Sequence, residues 1–203
     1  TIFDQIFDSG INLGGNTFTD IYINNNGTIN FGGPTTAYVP TGLSEGVEGK
    51  ASIALYWTDL DTRASSSTGG TGTGTNLVYY GNNGVDTVAY TWDDVAYFDQ
   101  GTTAGITGQI QLTKINSSDV NVKLIYEYTD TTTLAGAYNG QGATAGINLG
   151  VFGDALWENI GYVELPQTTE PVSDTNAVEL GVFEFSIRDG YIVGLGSGEA
   201  PVV

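Results

Sequence analysis

The run Thr19-Asp20-Ile21-Tyr22-Ile23, followed by Asn24-Asn25-Asn26-Gly27 and then Thr28-Ile29-Asn30-Phe31, decides the fold class. Apolar and polar residues alternate with a period of two on both sides of a turn whose Asn and Gly accept positive φ, which is the signature of a β-hairpin. The device recurs three times. Leu77-Val78-Tyr79-Tyr80 and Asp86 to Trp92 flank Gly81-Asn82-Asn83-Gly84, and Ile110 to Lys114 and Val120 to Tyr128 flank Asn116-Ser117-Ser118-Asp119. Phe183 to Ile187 and Tyr191 to Val193 flank Arg188-Asp189-Gly190. Evenly spaced short strands rich in β-branched and aromatic residues predict an all-β sandwich or barrel and exclude βαβ units.

Between these hairpins little else has a regular period. The best helical stretch, Leu43 to Ala54, contains Gly46 and Gly49, so at most a short turn is expected there. Ala64 to Thr75 holds only Ala, Ser, Thr and Gly and reads as a long mobile loop with nothing to bury. Gln167 to Thr175 is a second polar connector, kept out of any central strand by Pro166 and Pro171. No repeat of fixed period is visible, which argues against solenoids and propellers.

The chain has 203 residues, 40% of them hydrophobic, enough for one core and a single domain over residues 1–203. Its 23 acidic residues face 5 basic ones, and the net charge of -18 excludes a nucleic-acid binder and a binder of anionic membranes. Cys, His and Met are absent, which removes disulfides, thiolate or imidazole metal sites and every Ser-His-Asp triad. Chemistry is left to carboxylates, hydroxyls and amides. No apolar stretch approaches the roughly 20 residues of a membrane span. A chain that does not start with Met reads as an excised or processed segment, and its acidic, Gly-, Thr- and Asn-rich composition fits a secreted or bacterial surface protein as well as a halophile.

The densest acidic group is Tyr56-Trp57-Thr58-Asp59-Leu60-Asp61-Thr62-Arg63. Residues two apart on a strand share a face, so Asp59 and Asp61 present two carboxylates together beside the Ser/Thr/Gly loop. One reading is a Ca²⁺ site completed by oxygen ligands from carbonyls or amides; the other is a solvated strand end in which Arg63 neutralises one Asp. Arg63 occupies the fifth ligand position, so this is no EF-hand. In the second group, Trp92-Asp93-Asp94-Val95, alternation sends one carboxylate inward unless the strand is bulged, and that carboxylate needs hydrogen bonds or a metal. The glycine-rich turn from Tyr138 and Asn139 to Gly146 lacks the Lys of a phosphate loop, and the single Gly69 to Leu77 run has Gly74 where a calcium-binding nonapeptide needs Asp. Glu127, Glu158 and Glu184 are the nominees for a glycoside hydrolase, the least favoured reading, because each sits where a strand exposes a polar residue anyway.

Taken in order, Asn26-Gly27-Thr28-Ile29-Asn30-Phe31-Gly32, Ala54-Leu55-Tyr56-Trp57-Thr58-Asp59-Leu60-Asp61-Thr62-Arg63, Val78-Tyr79-Tyr80, Tyr90-Thr91-Trp92-Asp93-Asp94-Val95, Gly108 to Leu112 and Ala143-Thr144-Ala145-Gly146-Ile147-Asn148 resemble the extracellular nidogen-like (NIDO) domain. The resemblance covers about residues 15–150 and leaves 151–203 as strands that complete the sandwich. Leu55-Tyr56 departs from the family's Pro-Phe before Trp. The absence of Cys points to a bacterial relative, such as a module of a calcium-dependent adhesin of the repeats-in-toxin kind. The resemblance implies an antiparallel β-sandwich, an extracellular location at the bacterial cell surface and adhesion without enzymatic activity.

The expectation is therefore a calcium-stabilised adhesion module. Asp59, Asp61, Asp93 and Asp94 would hold Ca²⁺. Loops at one end of the sandwich, with the aromatics Tyr97, Phe98 and Tyr138 and the amide of Asn139, would bind a peptide or glycan of a host or neighbouring-cell surface. It would act as a monomeric part of a larger chain, without nucleic acid and without membrane insertion. A structural spacer without a ligand site is the alternative.

Overall fold

The computed structural model describes residues 2–98, 100–129, 143–150, 162–164 and 181–195. Their strands are β1 (Ile11–Leu13), β2 (Asn16–Phe18), β3 (Ile21–Asn24), β4 (Thr28–Phe31), β5 (Ser52–Trp57), β6 (Leu60–Asp61) and β7 (Leu77–Asn82). They continue with β8 (Thr87–Tyr97), β9 (Ala104–Lys114), β10 (Val120–Thr129), β11 (Thr144–Asn148), β12 (Tyr162–Glu164), β13 (Val182–Arg188) and β14 (Tyr191–Leu195). Among the described residues there is no α-helix; Leu43 to Lys50 forms turns and one bridge, Val47 to Lys50.

All four hairpins read from the sequence are present as antiparallel pairs: β3–β4, β7–β8, β9–β10 and β13–β14. They distribute over two main sheets in the order β12-β11-β5-β4-β3 and β14-β13-β10-β9-β8-β6, with β7 also on β8, and β1–β2 stands apart as a ribbon. The sheets form an antiparallel sandwich. Ile29, Phe31, Ile53, Leu55 and Ile147 from one sheet share a core with Trp92, Ile106, Ile110, Leu124 and Phe185 from the other. A hydrogen bond also crosses between the sheets, from the Tyr126 hydroxyl to the Leu55 carbonyl at 2.7 Å. Strands β10 and β13 alternate buried and half-buried residues, as sheets with one wet face do.

The turn after β3 does more than reverse the chain. Gly27 has φ +80°, and a Cβ there would lie 2.2 Å from the Tyr56 carbonyl oxygen, so only glycine fits against β5. Its carbonyl accepts from Leu55 N and Tyr56 N. Asn26 Oδ1 accepts from Leu60 N at 2.9 Å, Asn25 donates to the Leu60 carbonyl at 2.6 Å, and the Trp92 indole donates to the Asn25 carbonyl at 3.1 Å. The Asn-rich turn thereby fixes β6, and with it Asp59 and Asp61.

Strand β8 is shared along one edge by β7, which pairs up to Asp93, and by β6, which pairs from Ala96. Where one partner gives way to the other, the strand bulges. Trp92 lies opposite Gly108 and Val95 opposite Ile106, which leaves one extra residue on β8, and Asp94 takes φ +51°. The bulge is one of the two outcomes expected for Asp93-Asp94.

Candidate functional site

Two regions deserve a chemical reading: the acidic centre at the β6–β8 end, and a groove between the edges of the two sheets.

In the acidic centre three of the four carboxylates expected to hold metal, Asp61, Asp93 and Asp94, are held by protein donors. Asp61, 3% exposed, accepts from Arg63 N at 2.8 Å, from the Arg63 guanidinium at 2.8 and 2.9 Å through Nε and again through NH2, and from Gln100 N at 2.9 Å. The Arg63 hydrogen bond, aided by the Gln100 amide, outweighs burial and holds Asp61 far below the usual carboxylate range. The guanidinium in turn lies 5.2 Å from the centre of the Phe98 ring. Asp59 differs. It is buried, accepts no side-chain hydrogen bond among the described residues, and has its pKa raised by burial and by the charge of Asp61.

Asp93 and Asp94 are enclosed by the Ser/Thr/Gly loop. Asp94 accepts from Gly72 N at 3.1 Å, from Gly74 N at 2.8 Å and from the Thr107 hydroxyl. Asp93 accepts from Thr73 N at 3.0 Å and from the hydroxyls of Thr73 and Thr75 at 2.5 Å each. Burial works against the charge on Asp93, but the Thr73 and Thr75 donors prevail and lower its pKa. The loop is also stitched to the chain elsewhere. Thr68 exchanges backbone bonds with Thr102 and Ala104, Ser67 donates to the Asp94 carbonyl, and Asn76 bonds both the Ala64 carbonyl and Ala96 N. The expectation of a long mobile loop with nothing to bury is therefore corrected: Ala64 to Thr75 is a packed cover whose amides and hydroxyls replace the water a buried carboxylate would lose. Two of its glycines leave the room that the carboxylates occupy. A Cβ on Gly70 would stand 1.7 Å from Asp94 Oδ1, and one on Gly72 would stand 2.0 Å from Asp93 Oδ1.

No group of three acidic side chains among the described residues is arranged to hold a metal ion. Of the aromatics expected at a ligand surface, Tyr97 is buried. Its hydroxyl pairs with that of Tyr56 at 2.7 Å, and its ring packs where Gly105 leaves no side chain. Phe98 is exposed, with the Arg63 guanidinium over its ring. Tyr138, Asn139 and Glu158 lie outside the described residues. Glu127 is exposed on β10, and Glu184 bonds Asn121 and lies 3.5 Å from Lys123.

The second region was not anticipated. A groove of about 460 Å³ runs between β3, the edge of the five-stranded sheet, and β7, an edge of the other. Tyr22 stands on one wall and Tyr80, 61% exposed, on the other; Ile2, Phe3 and Tyr90 line its apolar side, and Asp20, Asn24 and Thr35 supply polar groups. Its size is that of a ligand site, and it combines flat aromatic area with a few fixed polar atoms. Tyr79-Tyr80 and Tyr22 are visible in the sequence, but which strands end up at sheet edges is not a local property.

The fold and this segment order define an antiparallel sandwich of nidogen-like type. The chain belongs to the NIDO related family, whose model matches residues 9–181. No curated protein and no solved structure matches it significantly.

Proposed function

We propose that the chain is a non-catalytic, extracellular adhesion module of a bacterial surface protein, and that its peptide or glycan ligand lies in the groove between β3 and β7. The observation that carries this reading is the groove itself, with Tyr22 and Tyr80 unspent by the core and facing the same space. The seat is thus the flank of the sandwich, not the loops at one end. The state of the acids supports the non-catalytic part. Asp61, Asp93 and Asp94 are engaged by protein donors and Glu184 is tied to β10, and Asp59, whose pKa is raised, has as its neighbour Asp61, which Arg63 already holds, so these acids do not offer the two free carboxylates that hydrolysis of a glycoside uses.

The test is binding to peptide and glycan arrays by the parent chain and by Tyr22→Ala and Tyr80→Ala. Retention by the parent and loss in both variants, with melting unchanged, supports the groove. An absence of any groove-dependent binding leaves the spacer reading in its place.

A second reading, calcium stabilisation, has one observation in its favour: Asp59 is a buried carboxylate that accepts no side-chain hydrogen bond among the described residues, and burial and the charge of Asp61 outweigh the charge of Arg63 there, so a further cation would relieve it. Carbonyls near β6 would have to supply the other oxygens, since the neighbouring carboxylate is already engaged by Arg63. Thermal unfolding in EDTA, in NaCl of equal ionic strength and in millimolar CaCl₂ decides it. A calcium-specific increment that disappears in Asp59→Asn supports the site, and equal responses to the two salts remove it.

A further inference from the structure

Five consecutive residues, Asp20 to Asn24, line the groove. Side chains along a strand alternate between faces, so a groove touched by every residue of the run reaches the strand's edge, and Asn30 of β4 and Thr35 extend it onto one face. That edge is open. The five-stranded sheet ends at β3, and among the described residues β3 exchanges backbone hydrogen bonds with β4 alone. In an antiparallel pair successive residues alternately bond the partner and point away, so half of β3 offers N–H and C=O groups to the groove.

Its only guard against further pairing is its length of four residues: Ile21-Tyr22-Ile23-Asn24 has no charged residue and no Pro, and pairs with β4 in unbroken register. The chain has 23 acidic residues, yet it leaves this edge, and the strand Leu77-Val78-Tyr79-Tyr80-Gly81-Asn82 that brings Tyr80 to the groove, free of them.

From this geometry we infer that the occupant of the groove is an extended peptide segment of a partner, neutral to basic in charge, which adds as a strand to the free edge of β3. The inference rests on the groove reading above and narrows it from peptide or glycan to peptide. A sugar would use the Tyr faces but has no use for a row of open backbone groups, whereas an added strand uses both: the main chain bonds β3, and its alternate side chains lie against Tyr22 and Tyr80. Asp20 is the one charged residue on the lining, and the whole chain carries -18, so an acidic segment or a second copy of this chain is repelled and a basic segment attracted.

The test pans phage-displayed random dodecapeptides on the full chain, then titrates the most enriched sequence, as a synthetic peptide, into ¹⁵N-labelled protein. A copy N-methylated at alternate amides and a set of neutral oligosaccharides are titrated in parallel. Enriched sequences with more Lys and Arg than Asp and Glu are expected, together with saturable shifts of the Ile21 to Asn24 amides. N-methylation and, separately, Tyr80→Ala should each weaken binding about tenfold or more. Acidic enrichment, indifference to N-methylation, unmoved β3 amides, or concentration-dependent self-pairing through β3 each overturn the inference. Oligosaccharides that shift groove residues where no peptide does would overturn strand addition and leave the groove reading standing; if neither class shifts them, both fall.

Discussion

Replacing Asp94 by Asn asks whether the loop over the bulge is held by one carboxylate. The change preserves size, and Asn tolerates the positive φ at this position, so backbone strain is not introduced. What changes is the acceptor count. Gly72 N, Gly74 N and the Thr107 hydroxyl all donate to the carboxylate, while an amide offers one oxygen and turns its NH₂ against at least one of these donors. With the oxygen kept toward Gly72 and Thr107, the Gly74 bond is lost at about 2 kcal/mol, and the other two each lose about 1 kcal/mol of charge assistance. The sum, about 4 kcal/mol, is a large part of the 5–15 kcal/mol typical of a domain, and it is capped by the free energy that holds the loop down. Hydrogen exchange by NMR is the assay. The Gly72, Thr73 and Gly74 amides should be protected in the parent, and in Asp94→Asn they should exchange up to about a thousandfold faster, at about tenfold per 1.4 kcal/mol. Amides that are unprotected in the parent, or equally protected in the variant, would refute the reasoning.

Gly72→Ala, whose Cβ would collide with Asp93 Oδ1, should open the same loop with every carboxylate still present, read as faster cleavage of Ala64 to Thr75 by subtilisin. Asp61 has a depressed pKa in the fold, so its stabilisation is present above the ordinary Asp value of about 3.9 and is lost as pH falls below it; melting temperature against pH should drop on acidification in the parent and less steeply in Asp61→Asn. Asp59 has the opposite sign: its raised pKa means the charged form opposes folding at neutral pH, so Asp59→Asn should melt higher than the parent at pH 7 in EDTA. Tyr126→Phe removes the bond that crosses to the Leu55 carbonyl and should cost about 1–2 kcal/mol in urea unfolding with an unchanged slope.

The strands and their hairpins were legible because they are local: period-two alternation and Asn/Gly turns lie within about a dozen residues of each other, and the Asp93-Asp94 pair, by breaking that alternation, left a bulge as one of two outcomes. The Ser/Thr/Gly loop was misread for the opposite reason. Its composition is that of a linker, and only the arrival of β8 beneath it turns its amides and hydroxyls into the donors of two buried carboxylates. The same non-locality hid the groove. Tyr22 and Tyr80 are 58 residues apart in sequence, and nothing in either strand says that β3 and β7 will be the neighbouring edges of different sheets. Tyr97 failed as an exposed aromatic because β8 is covered on both faces beyond its bulge, whereas the strand's first half keeps one face partly open.

The claim that the ligand seat is the β3–β7 groove, away from the acidic centre, is tested most directly by calorimetric titration of the strongest array ligand into three proteins: the parent, Tyr22→Ala/Tyr80→Ala and Asp93→Asn. The account predicts affinity at least about tenfold weaker in the double Tyr variant and unchanged in Asp93→Asn. Unchanged affinity in the Tyr variant, with loss in Asp93→Asn, would contradict it.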